Sequence, residues 1–353
     1  MAQPSAGLRR RIQHRRPNGD RRVVRVLTAL LVVGLAAVVT VAGWLAHFAT
    51  APIRIPETAR RFSIDQGVGL RKVAASLEHQ GIVSSATAFV WLARAMGRAG
   101  ELKAGIYEAG EALTPLQLLD KLVRGDFAKG QIRFIEGWTF HQLRLALDAN
   151  PALRHDSKDL TGQQILARLG IPETQPEGLF FPDTYQFSAG TSDLVVLHQA
   201  HLRMQVMLAQ FWAAREKRLP YHSQYEALIL ASIVEKESAS VTERDMVAAV
   251  FVNRLRRGMK LQADPTVIYG LGEHFDGNLR KRDLLTDQPY NTYTRYGLPP
   301  TPISLPGEAS LRAALNPAPS KVLYFVSRGD GSHHFSETLA EHNRAVNKFQ
   351  RGL

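Results

Sequence analysis

No cysteine occurs in the 353 residues of this chain. That excludes a disulfide framework but leaves the compartment open, since many exported proteins do without one. Acidic residues are also in short supply: 32 Asp and Glu face 44 Lys and Arg, a formal charge of +12. Such a surplus first suggests nucleic acid, but its distribution argues against that partner. Eight arginines, from Arg9 to Arg25, stand against Asp20 alone within residues 1–25. The remaining excess is thinly spread and at most favours an anionic polymer. Long apolar runs are rare as well, and the one at Val26–Ala46 has 21 uncharged residues. About 20 apolar residues cross a bilayer core, so the run reads as one transmembrane helix. The arginines before it place the N-terminus in the cytoplasm and everything after it outside. A cleavable signal peptide ending at Ala49-Thr50-Ala51 competes, although signal cores are usually shorter, about 7–15 residues.

The rest divides by composition. The expected organisation is a basic cytoplasmic tail (1–25), a transmembrane helix (26–47), a stiff linker containing Pro52 and Pro56 (48–61), a small α+β module (62–128) and a larger mixed α+β domain (129–353). The fold class is therefore α+β. In the small module, Leu70, Val73, Ala74 and Leu77 mark one helix face, followed by Gly81 as a C-terminal stop. Ser84 or Ser85 can cap a second helix bearing Phe89, Trp91 and Leu92. Lys103–Glu108 reads as a strand, and Thr114 with Pro115 opens a third helix that Gly125 ends. In the larger domain, Gln131–Ile135 alternates as a strand and Gly178–Phe187 gathers aromatics that could stack on sugars. Val322–Val326 and then Thr338–Phe349 read as a strand and a helix.

The chemistry concentrates between Leu228 and Tyr296. The run Leu228–Val234 drives into Glu235-Lys236-Glu237-Ser238. Desolvation at the end of such a segment raises a carboxyl pKa toward the range of a proton donor, so both glutamates are candidate acids. At about 100° per residue they lie on nearly opposite helix faces, and both faces are apolar, so periodicity does not choose between them. Gln262, Asp264, Tyr290, Asn291 and Tyr293 follow, an amide, hydroxyl and aromatic set suited to sugar hydroxyls and ring faces. Asp264 precedes Pro265, which predicts an extended or turn conformation. Glu243 and Asp245 read as surface partners of Arg244 or helix caps. His333, His334 and His342 lack metal-site spacing, so neither a metal nor another cofactor is expected, although His334 at a strand end could line a cleft.

Ala231–Ser238, Leu261–Tyr269, Pro289–Thr294 and Gly297-Leu298-Pro299-Pro300 resemble, in order and spacing, the signature segments of the endolytic murein transglycosylase family, also called YceG-like. That resemblance implies a LysM-like glycan-binding character for residues 62–128 and a catalytic domain at 129–353. It makes Glu237, followed by Ser238, the catalytic acid, and Tyr290-Asn291 is similar to a Tyr-Asn motif of other lytic transglycosylases. Gln262, Asp264, Tyr290, Asn291 and Tyr293 are then substrate-binding. The implied reaction cuts between N-acetylmuramic acid and N-acetylglucosamine, with Glu237 as acid and then as base for the muramic 6-hydroxyl, leaving 1,6-anhydro ends. Peptidoglycan strands, the bacterial inner membrane and peptidoglycan synthases are the expected partners, with the catalytic domain in the periplasm. Two other readings are a hydrolytic muramidase using Asp264 as second carboxylate and a non-catalytic wall-binding scaffold.

Overall fold

The computed structural model describes residues 18–238 and 240–352, so residues 1–17 of the expected basic tail lie outside the described residues. The fold is mixed α+β, with four antiparallel two-stranded ribbons set among helices in the described residues. The chain divides into two compact units, Met1–Ala128 and Lys129–Leu353.

In the N-terminal unit the helix Asn18–Thr50 runs unbroken past the apolar run. Its Arg22–Thr50 portion is long and apolar enough to cross a membrane. The far end does not stop at a linker. Phe48 and Ala49 are buried in the hydrophobic core of the unit, and Leu45 packs against it. Residues 48–61, expected as a stiff spacer, are instead folded into the same core. Ile53–Arg54 pairs with Ala112–Leu113, Pro56 opens a 3-10 turn over Glu57–Ala59, and Ile55 and Ala59 are buried. The prolines thus border a short strand and a turn, positions where the missing N–H costs nothing, and do not hold an extended spacer.

Local signals account for the rest of this unit. Arg61–Ile64 pairs with Gly105–Glu108, which stacks Phe62 on Tyr107 at 5.6 Å. Val73, Ala74 and Leu77 of the helix Leu70–His79 and Phe89 and Leu92 of Ala86–Ala95 face the core, while Trp91 is exposed. Ser85 caps the second helix by accepting from Ala88 N at 3.3 Å. Thr114 and Gln117 form a reciprocal capping box on Pro115–Arg124, which Gly125 ends at φ 72°.

The C-terminal unit is built around the helix Gln224–Glu237. Every residue from Ala227 to Glu235 is buried, so this helix has no solvent face over most of its length. Helices Asp193–Ala213, Arg244–Arg256, Asp264–Leu271 and Glu308–Leu315 pack on it. An apolar run on all sides is what such a central position requires. A ribbon of Lys129–Arg133 with Thr184–Ser188 flanks the core, and the hairpin Tyr324–Ser327 with His333–Ser336 leads to the helix Leu339–Val346. Phe180, Phe181 and Tyr185, expected as possible sugar platforms, are buried in the core.

The packing of residues 48–61 yields a direct test. In limited trypsin digestion of the detergent-solubilised protein, cleavage after Arg54, Arg60 and Arg61 is expected no faster than global unfolding of the unit. Rapid nicking there with the unit still folded would restore the linker.

Candidate active site

Two glutamates end the central helix, and the protein treats them oppositely. Glu235 is buried and held by Arg244, whose Nη2 donates to Oε1 at 2.8 Å and Nη1 to Oε2 at 3.2 Å. The Gly307 backbone N–H adds a third bond to Oε2 at 2.9 Å. A Cβ at position 307 would meet the carboxylate of Glu136, so any side chain there must displace it. Both oxygens of Glu235 are therefore committed to a buried ion pair. Arg244, expected to pair with Glu243 or Asp245, is recruited inward instead.

Glu237, the last helical residue, is half-buried, and its Oε2 is buried without a hydrogen-bond partner among the described residues. Burial, and after it the charge of Asp264, pushes its pKa up to about 8 against the opposing Arg254 guanidinium. A carboxyl group in this condition carries its proton at neutral pH.

Glu237 borders a cleft of about 490 Å³, within the size range of small-ligand sites. One wall comes from Arg254, Gln262, Asp264 and Tyr293, and the opposite one from the C-terminal hairpin and helix through Phe325, His333 and His342. Arg254 is itself buried. It donates to the carbonyls of Leu323 at 2.7 Å and Leu261 at 2.9 Å and to Gln262 Oε1 at 3.1 Å. Gln262 has φ 53°, the left-handed region, unusual for a residue with a side chain. That conformation costs about 1–3 kcal/mol and persists only where the surroundings over-determine it. Here the Gln262 N–H donates to Thr292 O at 3.1 Å, Ala263 N donates to Thr292 Oγ1 at 3.0 Å, and Arg254 holds the side chain.

Asp264 is the first residue of the helix Asp264–Leu271, not an extended residue before proline. Pro265 falls in the first turn, where the missing donor is tolerated, and the helix start outweighs the local bias. Tyr293 donates its hydroxyl to Asp264 Oδ1. The other two predicted residues are elsewhere. Asn291 is fully buried, its amide donating to the carbonyls of Asp283, Leu284 and Thr286 at 3.2, 3.1 and 2.7 Å. Its Oδ1 accepts from Tyr293 N at 2.8 Å, so Asn291 shapes the loop that carries Tyr293. Tyr290 lies edge-on to Tyr269 at 4.9 Å, with its hydroxyl 2.9 Å from Thr301 Oγ1. Neither borders the cleft.

The histidines sort by strand alternation. His333 and not His334 reaches the cleft, because adjacent residues of a strand face opposite ways, and the His334 ring lies 5.6 Å from Phe349. His342 stacks on Tyr324 at 5.2 Å, and burial followed by the Arg254 charge lowers its pKa. Among the described residues no group of three His, Asp or Glu side chains could hold a metal. One buried carboxylate escaped sequence reasoning. Glu177 accepts from Phe140 N at 2.9 Å and from Tyr269 OH at 3.2 Å, at the start of the helix Phe140–Asp148, and burial raises its pKa to about 7. Its bonds identify it as a helix cap.

An α+β domain with a buried, unpaired carboxyl oxygen at the edge of a polar cleft offers the kind of group that general acid chemistry uses. The chain belongs to the YceG-like family, whose model matches residues 62–348. It is 30% identical to the endolytic murein transglycosylase of Bacillus subtilis (strain 168) over 317 residues, 83% of this chain and 85% of that protein. It is 27% identical to the endolytic murein transglycosylase of Streptococcus pneumoniae (serotype 2, strain D39) over 328 residues, spanning 57% of that longer protein. The crystal structure of a YceG-like protein from Listeria monocytogenes superposes with a TM-score of 0.52 at 29% identity, covering 81% of this chain and 98% of that one.

The unequal treatment of the two glutamates predicts unequal stability effects. Arg244→Met leaves Glu235 buried without its partner and is expected to cost about 3–5 kcal/mol. Glu237→Gln removes no hydrogen bond and is expected within about 0.5 kcal/mol of the parent at neutral pH. Chemical denaturation of the two variants side by side checks both, and equal losses would mean that Glu237 also has a structural partner.

Proposed function

We propose that Glu237 is the acid of an endolytic murein transglycosylase, acting first as proton donor and then as base. The chain's family membership and its curated relatives support the activity. The observation that carries the assignment to Glu237 is its unpaired, buried Oε2 in the cleft, beside a Glu235 whose oxygens are both bound. Peptidoglycan is the substrate. In this reading protonated Glu237 gives its proton to the oxygen joining N-acetylmuramic acid to N-acetylglucosamine, and that C–O bond breaks. The carboxylate left behind takes the proton of the muramic 6-hydroxyl as its oxygen bonds to C1, closing a 1,6-anhydro ring. The attacking group is already tethered, so no second carboxylate is needed to activate water.

Asp264 then has an electrostatic task. Its charge keeps Glu237 protonated between turnovers, while Arg254 eases formation of the carboxylate during the transfer. Gln262 and Tyr293 are read as groups that position the sugar, with Asn291 fixing Tyr293 from behind. The catalytic domain is residues 129–353 and carries Glu237 on its central helix. Residues 62–128 are read as the LysM-like part of the N-terminal unit. The basic tail is assigned to the cytoplasm, the apolar helix to the inner membrane as a single retained span, and the rest to the periplasm, where peptidoglycan synthases are the natural partners of an enzyme cutting nascent strands.

Product analysis separates the readings. Wild-type protein is expected to release 1,6-anhydro ends from purified glycan, and Glu237→Gln to lose about 10²–10⁴ in kcat with the fold intact. Reducing muramic ends would instead support hydrolysis with Asp264 as second carboxylate, and full function of the variant would support a scaffold.

The pH dependence follows from the raised pKa. The acid is competent while Glu237 is protonated, so kcat/KM is expected to fall as pH rises through about 8. Asp264→Asn removes a group that raises this pKa, so the alkaline limb should move to lower pH. An unchanged limb in that variant would separate Asp264 from the acid.

A further inference from the structure

A second titratable unit lines the cleft and is unused by the reaction just described. His333 opens the second strand of the C-terminal hairpin, and Glu243 ends the 3-10 turn Val241–Glu243. Glu243 Oε2 lies 2.8 Å from His333 Nδ1, and Oε1 accepts from the His333 backbone N–H at 3.1 Å. Both side chains are largely withdrawn from solvent, at 16% and 19% exposure. The Phe325 ring meets the imidazole edge-on at 5.4 Å. One carboxylate gripping both the ring and its own backbone leaves the imidazole little rotation. Nδ1 faces a carboxylate, so in the neutral form of the ring it is Nδ1 that carries the proton and Nε2 that presents a lone pair.

Besides His333, the cleft lining offers acceptors in the second carboxylate oxygen of Asp264, the Ser327 hydroxyl and the Gln350 amide oxygen. Arg254 is a donor only, and Gln262 has its Oε1 committed to Arg254, leaving the NH₂ group. Glu237 in its protonated form offers an O–H, and Tyr293 occupies one of the two Asp264 oxygens. A sugar ring brings several hydroxyl donors, and each needs an acceptor when water is displaced. We propose that His333 binds the glycan, its Nε2 accepting a hydrogen bond from a sugar hydroxyl while Glu243 holds the ring in place. The proposal rests on the reading of this cleft as the glycan site. The competing explanation is a staple, in which the pair only ties the hairpin to the turn.

Binding of purified, uncross-linked glycan strands to the full-length chain in detergent, all on a Glu237→Gln background that prevents turnover, distinguishes the two. His333→Phe keeps a flat ring against Phe325 and removes the acceptor, and is expected to weaken binding about tenfold. His333→Gln places an amide oxygen near the position of Nε2 and is expected to bind within about threefold of the background protein. A staple predicts the same affinity in both variants, with any loss appearing only in thermal stability, and that result would overturn the proposal. Binding that is equally weak in both would also overturn it, because the acceptor would then not be what matters. Failure of the Glu237→Gln protein itself to bind strands would remove the cleft reading and this proposal together, whereas strong binding unaffected by His333→Phe removes only the latter. In turnover by the otherwise native enzyme, His333→Phe should raise KM about tenfold and leave kcat within about threefold.

Discussion

Two bare carboxylates at the end of a buried helix are costly, because an ion withdrawn from water without a partner costs several kcal/mol of desolvation. The C-terminal unit meets this constraint with the Arg244 guanidinium and the Gly307 N–H, which together saturate Glu235. The same interaction ties the central helix to the helix beginning at Arg244 and to the turn before Glu308. With that end fixed, Glu237 can remain unpaired at the cleft edge without loosening the fold. Burial without a counter-ion favours its neutral form.

The cleft wall is built with similar economy of parts. Thr292 joins the Gln262 and Ala263 backbone to the Tyr290–Thr294 loop, and its hydroxyl also meets Thr266 Oγ1 at 2.9 Å. Asn291 clamps three carbonyls on one side and the Tyr293 N–H on the other. These two buried residues hold a left-handed Gln262 and a fixed Tyr293 in place. The strained conformation at Gln262 thus depends on neighbours that themselves do not reach the cleft.

Much of this organisation was legible in the residues, and the limits are instructive. Caps such as Ser85 and Thr114 and the stops at Gly81 and Gly125 involve contacts within a few positions, so they could be read directly. The apolar run into Glu235 and Glu237 marked the central helix for the same reason. The choice between the glutamates could not be read, because it turns on Arg244 and on Gly307, some seventy residues downstream. Asn291 had the composition of a sugar ligand, but a fully buried amide must bond internally, and burial is a property of the packed fold. The strand end suggested His334 as the cleft residue, but which of His333 and His334 faces the cleft depends on where the strand begins and which face is covered, and it is His333. The segment 48–61 was misread because two prolines suggested a spacer, while Phe48, Ile55 and Ala59 were already supplying core.

The continuity of the N-terminal helix with the core of its unit has a mechanical meaning. The uncharged run Val26–Ala46 measures roughly 32 Å at 1.5 Å per residue, about the thickness of the hydrocarbon that a membrane-crossing helix spans. Bilayers of different thickness are accommodated by leaning such a helix to different degrees. Phe48 and Ala49 are packed in the core of the unit, so a helix leaning in a membrane would carry the unit with it. Lipid thickness would thereby set the attitude in which this unit meets whatever lies at the membrane face.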